Sequence, residues 1–198
     1  MNSQNKICAY LYEDFLKMVK DFHGHAAPGV VIGGFMVDLA MTHLPEGELF
    51  DALSETRSCL PDAIQLLTPC TVGNGWLKIV DTGRYALTLY KKFGGDGVRV
   101  FVDSSQLNLW PEIKNWFFKI IPKQEQDKDK LMNQIREAAN RYFGIQKVKL
   151  GADFIKTRPR MGFSVCPICR EGFPKEDGPM CLSCRGDSPY LASYKPAN

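Results

Sequence analysis

Four cysteines near the C-terminal end carry the clearest chemistry in this sequence. Cys166-Pro-Ile-Cys169 and Cys181-Leu-Ser-Cys184 are two C-x-x-C pairs with eleven residues between them. Each pair makes a knuckle whose turn aims both sulfurs at one point, and two knuckles supply the four thiolates of a tetrahedral zinc site. Gly186 follows the second pair, where such a knuckle needs a tight turn. The segment has few large apolar side chains and cannot readily bury an adequate core of its own. A structural zinc supplies about 10–16 kcal/mol toward ordering it. Disulfides are the competing reading of the paired cysteines and suit a secreted chain, and iron in a rubredoxin-like site is the competing metal. Four protein ligands leave no open coordination position, so the zinc reads as structural rather than catalytic.

A second, looser constellation lies earlier. His23-Gly24-His25 puts two imidazoles on one face of an extended segment. Far away in sequence come Cys59, Asp62 and Gln65, then Thr68-Pro-Cys70-Thr71-Val-Gly73-Asn74-Gly75. Imidazole and thiolate are good ligands for a transition metal, and a glycine-rich turn lets backbone approach a bound group. His23, His25 and Cys59 are therefore candidate ligands of a second metal. Cys59, Asp62 and Cys70 are candidate catalytic groups, with Cys59 or a metal-bound water as the reactive group and Asp62 as base. Gln65, Thr71, Gly73 and Asn74 are candidate cofactor contacts. Each also has an ordinary structural account. Paired histidines are often hydrogen-bonded surface residues, lone cysteines pack as small hydrophobes, and a carboxylate at Asp62 suits a helix N-terminus.

The elements that must position these groups follow from periodicity. Ile7, Leu11, Phe15 and Val19 recur every four residues and predict a helix ending near Asp21. Pro28 opens a second helix running to about His43, in which Gly33-Gly34 costs about 1 kcal/mol per glycine relative to Ala. That cost points to close approach by another backbone or a ligand. Cys59–Leu67 reads as a short helix with Pro61 near its start and Pro69 beyond its end. Trp76–Val80 and Tyr85–Tyr90 read as strands joined in a hairpin by Asp81-Thr-Gly-Arg84, and Val98–Val102 completes a three-stranded meander. A bulky apolar stripe runs from Leu109 to Ile121. Gln124–Phe143 predicts a helix stopped by Gly144, and Val148 and Leu150 predict a further strand. The composition shifts to Pro, Gly, Arg and Cys near Gly151, so residues 1–150 form a core domain and 151–198 a zinc module with its tail. The fold class is α+β, an antiparallel sheet packed by helices, with a small zinc-ribbon-like C-terminal module.

Bulk properties narrow the function. The chain has 198 residues, 44% hydrophobic and 24% charged, which supports a packed core and argues against wholesale disorder. The start has no basic n-region, and the longest apolar run, Ala26–Val37, contains Pro28 and three glycines and is too short for a bilayer. The expectation is a soluble cytoplasmic protein with reduced cysteines and no membrane partner. The formal charge of +3 falls to about +1 once four thiolates hold one Zn²⁺, which leaves little drive toward nucleic acid. The basis for a nucleic-acid role is Lys147, Lys149, Lys156, Arg158 and Arg160, with Phe154 and Phe163 to stack on bases. Such a charge run is more often a solvated linker. Trp110, Trp116, Phe117 and Phe118 cannot all share one helix face, so part of that stripe is an interface candidate, in line with a homodimer.

Two blocks in order, His23-Gly-His25-x-x-Pro28-Gly29 and Cys59-x-x-Asp62-Ala63-Ile64-Gln65-x-x-Thr68-x-Cys70-Thr71-x-Gly73-Asn74-Gly75, resemble FmdE, the family of the formylmethanofuran dehydrogenase E-subunit. Some of its members end in a four-cysteine zinc module, as this chain does. The resemblance implies an α+β domain, often dimeric. It implies an archaeal-type assembly in which the family's namesake accompanies a molybdenum or tungsten enzyme without carrying the pterin chemistry. The family motif reads His-Gly-His-x-Cys-Pro-Gly, and here Ala27 replaces the cysteine. That loss counts against catalysis more than against binding, since His23, His25 and Cys59 could still hold a metal with water filling the gap. The first expectation is a metal-binding accessory protein with zinc in the tail and a second transition metal in the core. The alternatives are a metal- or cysteine-dependent enzyme using the core cluster, and a zinc-module adaptor for nucleic acid or protein.

Overall fold

The structure is a computed structural model that describes residues 6–44, 47–155 and 161–190, and the chain divides into two compact units, 1–155 and 156–198. The first unit opens with a short antiparallel pair, β1 (Lys6–Ile7) and β2 (Tyr10–Leu11), feeding α1 (Tyr12–His23). Ile7 and Leu11, which the four-residue spacing predicts as helical, belong to this hairpin instead. Its turn is held at Cys8 (φ 52°), whose N–H donates to Asp38 Oδ1 at 2.7 Å. Phe15 and Val19 are buried, as the spacing predicts. Gly24, in the left-handed region at φ 89°, ends α1 by donating to the Lys20 carbonyl.

Helix α2 (Pro28–Met41) is apolar on all sides and lies in the core, where both neighbours approach it at glycines. A Cβ on Gly33 would sit 2.7 Å from Ala63 Cβ of α3 (Leu60–Leu67), and one on Gly34 would sit 2.5 Å from the Phe15 ring of α1. The close approach expected at Gly33-Gly34 is therefore packing by two helices.

The sheet departs from the expected meander. Its order is β4 (Leu77–Ile79), β3 (Phe50–Ser54), β5 (Ala86–Lys91), β6 (Asp96–Val102) and β7 (Phe143–Lys149). Strand β3 separates β4 from β5, pairing parallel with β4 (Ala52↔Leu77) and antiparallel with β5 (Ala52↔Leu89). The Asp81–Arg84 segment is thus no hairpin turn. It passes the end of β3, with Val80 N–H donating to Ser54 O and Thr82 N–H to Glu55 O. Phe50-Asp-Ala-Leu-Ser54 lacks a β-branched run, so periodicity alone does not reveal it. The remaining pairs are antiparallel, and helices cover the Leu87, Leu89, Val98 and Val100 side of the sheet.

Helix α4 (Pro111–Phe117) has two of its first N–H groups accepted by Gln134 Oε1 of α5 (Lys128–Ala138), and Asp127 caps α5. Helix α5 is shorter than the sequence predicts. It stops at Ala139, at φ 49°, and Phe143 begins β7. Gly144 does not stop the helix. It lies within β7 opposite Phe101, whose ring occupies the space a Cβ would need. A short α6 (Ala152–Ile155) follows. Among the described residues no helix is long and apolar enough to cross a membrane.

Glu55, at the end of β3, is 8% exposed and receives Arg99 Nε at 2.5 Å, Arg99 Nη2 at 3.0 Å and Arg84 Nε at 2.8 Å. Burial by itself would raise its carboxyl pKa. The Arg99 and Arg84 guanidiniums and the Thr82 hydroxyl outweigh it and hold the group below its ordinary 4.5. A depressed carboxylate contributes stability that is fully present above pH 4.5 and is lost as pH falls through the lower folded value. Arg99→Met removes the two-pronged partner and leaves Glu55 to Arg84 and Thr82, and should cost about 1.5–3 kcal/mol at pH 7. Urea midpoints at pH 7 and at pH 3 should show that deficit shrinking in acid.

Candidate functional site

In the second unit, β8 (Phe163–Val165) and β9 (Gly172–Pro174) form a hairpin that carries Cys166 and Cys169 in its turn. Cys166 N–H donates to Glu171 O and Arg170 N–H to Cys166 O, with Arg170 at φ 68° closing the knuckle. The second knuckle leads into an irregular helical turn, Ser183–Asp187, in which Gly186 sits at φ 117°. Cys184 N–H donates to Cys181 Sγ at 3.4 Å, closing the second knuckle.

The four Sγ atoms lie within 4.8 Å of one another, and Cys169 and Cys181 are 3.8 Å apart. Tetrahedral zinc with Zn–S of about 2.3 Å sets its sulfurs about 3.8 Å apart, so the donor set and its spacing fit that ion. The same distance is far beyond the roughly 2.05 Å of a disulfide. Backbone N–H groups of Cys169 and Cys181 draw the Cys166 thiol down to about 6, while hydrogen bonding with the Cys181 sulfur and burial push Cys184 up to about 12. Phe173 is the one large apolar side chain buried among the described residues of this unit, which leaves the metal as the ordering element. Among the described residues these cysteines are also the one set of three or more His, Cys, Asp or Glu groups that converge this closely.

The candidate residues of the first unit meet where α1 ends and α3 begins. His23 Nδ1 lies 2.6 Å from Asp62 Oδ2, and the His25 ring centroid is 5.0 Å from that of His23. His23 is in the last turn of α1 and Asp62 in the first turn of α3, the helix end that favours a carboxylate. Cys59 caps α3 at φ 55°, a conformation costing on the order of 1–3 kcal/mol that persists only where the surroundings enforce it. The preceding loop does so, through Ser58 N–H to Thr56 Oγ1 and Ser54 Oγ to Thr56 O. Gly29 of α2 presses against the same residue. A Cβ there would lie 2.8 Å from Cys59 Cβ and 2.9 Å from its Sγ, while Tyr85 Oη donates to Gly29 O at 2.7 Å. Burial and the Asp62 carboxylate push the Cys59 thiol up, against the pull of Lys123. Cys59 is therefore a neutral thiol and a weak nucleophile at pH 7.

The other candidates are occupied elsewhere. Cys70 is fully buried, its Sγ directed to Phe50 O, and burial pushes its thiol to about 11. Gln65 accepts from Val72 N–H, Asn74 Oδ1 accepts from Thr71 and Trp76 N–H, and Thr71 Oγ1 accepts from Asn74 N–H. These side chains brace their own loop, with Gly73 exposed at its tip. Ala27 is buried and caps α2 by its backbone. Of the basic stretch, Lys149 pairs with Asp96, Lys147 is exposed on β7, and Lys156, Arg158 and Arg160 lie outside the described residues. Sequence reasoning missed Tyr85, Lys119 and Lys123. They border a cleft of about 620 Å³ beside Cys59, and no motif or spacing connects them.

Comparison with known proteins gives a consistent result. The family model described as "FmdE, Molybdenum formylmethanofuran dehydrogenase operon" matches residues 22–150, and that of the "FmdE treble clef zinc finger" matches 157–191. The module is thus a treble clef rather than a ribbon. A curated relative from Archaeoglobus fulgidus, named "Probable S-adenosyl-L-methionine-binding protein", is 29% identical over 206 residues, covering 93% of this chain and 55% of that one. The chain therefore spans about half the length of that relative. The crystal structure of a tungsten formylmethanofuran dehydrogenase FmdE-like protein from Syntrophus aciditrophicus is 50% identical, with a TM-score of 0.88 over 96% of this chain and 100% of that one.

Cys181→Ser should remove the zinc equivalent and make the second unit sensitive to protease, while the thermal transition of the first unit stays in place. Metal analysis with limited proteolysis of the full chain reads both effects.

Proposed function

The chain belongs to the FmdE family, and on that premise we propose that it is a metal-binding accessory protein rather than a self-sufficient enzyme. In this reading the treble clef holds a structural zinc, and His23 and His25 hold a second, solvent-open transition metal. The observation that carries the core site is the 2.6 Å contact between His23 Nδ1 and Asp62 Oδ2. A carboxylate on one ring nitrogen sets the tautomer and leaves Nε2 as the donor, the usual arrangement behind a metal-bound imidazole. Asp62 is then a positioning residue and not a base. Water completes the coordination, and Cys59 stands at the margin of the site.

The accessory role follows from what the site lacks. Ala27 stands where the family motif has a thiol, and the thiol of Cys59 is held in its neutral form. Leu109, Phe118 and Ile120 are 72%, 48% and 55% exposed, which supports a second copy or a larger molybdenum or tungsten enzyme as the partner of that surface.

Protein purified without oxygen and titrated with Co²⁺ should hold two metals per chain, one of them zinc that resists a weak chelator. His23→Ala and His25→Ala should each abolish the second equivalent and spare the first, and Asp62→Asn should weaken it about 10- to 100-fold. An unchanged second equivalent in both histidine variants would overturn the core site. Less than half an equivalent of zinc in undamaged protein would overturn the tail assignment.

A further inference from the structure

The cleft beside Cys59 has a composition that neither metal site explains. Its apolar wall is aromatic. The Tyr85 and Phe117 rings meet edge to face with centroids 6.1 Å apart, and Trp116 lies 6.3 Å from Phe117. Thr56, Ser58 and Gln126 add polar residues to its lining. Lys119 and Lys123 line the cleft, and among the described residues no carboxylate does. Neither lysine has an ion-pair partner among the described residues, whereas Lys91, Lys92, Lys130 and Lys149 each face a carboxylate. The volume, about 620 Å³, is that of a small-molecule site.

We propose that this cleft binds a planar aromatic anion, its ring against Trp116 and Phe117 and its acidic group between Lys119 and Lys123. Two unpaired cations in a half-enclosed site attract negative charge, and the aromatic wall offers area that a simple inorganic anion would not use. Lys119 takes its φ of 53° as the left-handed residue that closes α4, with its N–H donating to Trp116 O and Ile120 N–H to Asn115 O, so the turn that ends the helix fixes the backbone of one lysine at the cleft. Lys123 and Cys59 both line the cleft, so the anion pocket and that sulfur share one space. His23 and His25 do not line the cleft, so the ligand does not depend on the core metal.

The test is a fluorescence titration of the full chain with 8-anilinonaphthalene-1-sulfonate, beside its uncharged relative N-phenyl-1-naphthylamine. The anion should saturate one site per chain. Lys119→Gln with Lys123→Gln should weaken it at least about tenfold, as loss of charged hydrogen bonds implies. Lys147→Gln should leave it unchanged, and the uncharged probe should bind at least about tenfold more weakly than the anion. Trp116→Ala should weaken binding and Trp116→Phe should retain most of it, with circular dichroism confirming that each variant folds. His23→Ala should bind the probe normally while losing the core metal, so the two readings fail separately. Equal affinity in the double lysine variant, equal binding of the uncharged probe, or several equivalent sites per chain would overturn the proposal.

Discussion

The first unit is organised around the place where α2 comes within contact distance of the start of α3. Gly29 and Gly33, one turn apart on α2, meet Cys59, Leu60 and Ala63 at distances no side chain could occupy. Overpacking a core by a single methyl commonly costs about 1–3 kcal/mol, so this approach tolerates little change. Its consequences run outward. It seats Cys59 at the head of α3 in a strained backbone conformation and gives Tyr85 the Gly29 carbonyl as a partner. It also brings Asp62 under His23. The cluster that resembles the family motif is therefore a product of helix packing, and its glycine belongs to the packing as much as its histidines belong to the chemistry.

The two candidate metal centres differ in how they are built. The treble clef draws all its ligands from one short segment, closed by two turns and their backbone N–H groups, and it needs the ion because almost no apolar core lies beneath it. The candidate site at His23 draws on the end of one helix and the start of another, both packed in the core of the first unit. A preformed site on a stable domain can remain open to solvent and exchange its ligand. A site that the metal itself folds cannot lose its ion without losing its structure.

Several elements were legible in the sequence and several were not. The central apolar helix, the short helix behind Cys59 and strand β5 lie close to where periodicity puts them, since each carries its pattern locally. Strand β3 was hidden because Phe50-Asp-Ala-Leu-Ser54 alternates weakly, and its insertion between β4 and β5 turned an apparent hairpin loop into a crossing. Gly144 resembled a helix stop but fills a cross-strand gap under Phe101, a role visible only once β6 and β7 are paired. The loop residues Gln65, Thr71 and Asn74, candidate cofactor contacts by residue type, hold hydrogen bonds within their own loop, a pairing that residue type alone does not specify.

By itself the sequence determined the zinc centre and the mixed helix-and-sheet class. The four cysteines lie within nineteen residues, so the spacing of one short segment already dictates a tetrahedral ligand set. Only the tertiary structure decided that His23 meets Asp62, 39 residues away, and that Tyr85 reaches Gly29 across 56. It alone assembled the lysine and aromatic cleft beside Cys59. Those contacts join residues with no shared periodicity, and what brings them together is the packing of glycine-floored helices on a sheet whose strand order no local pattern encodes.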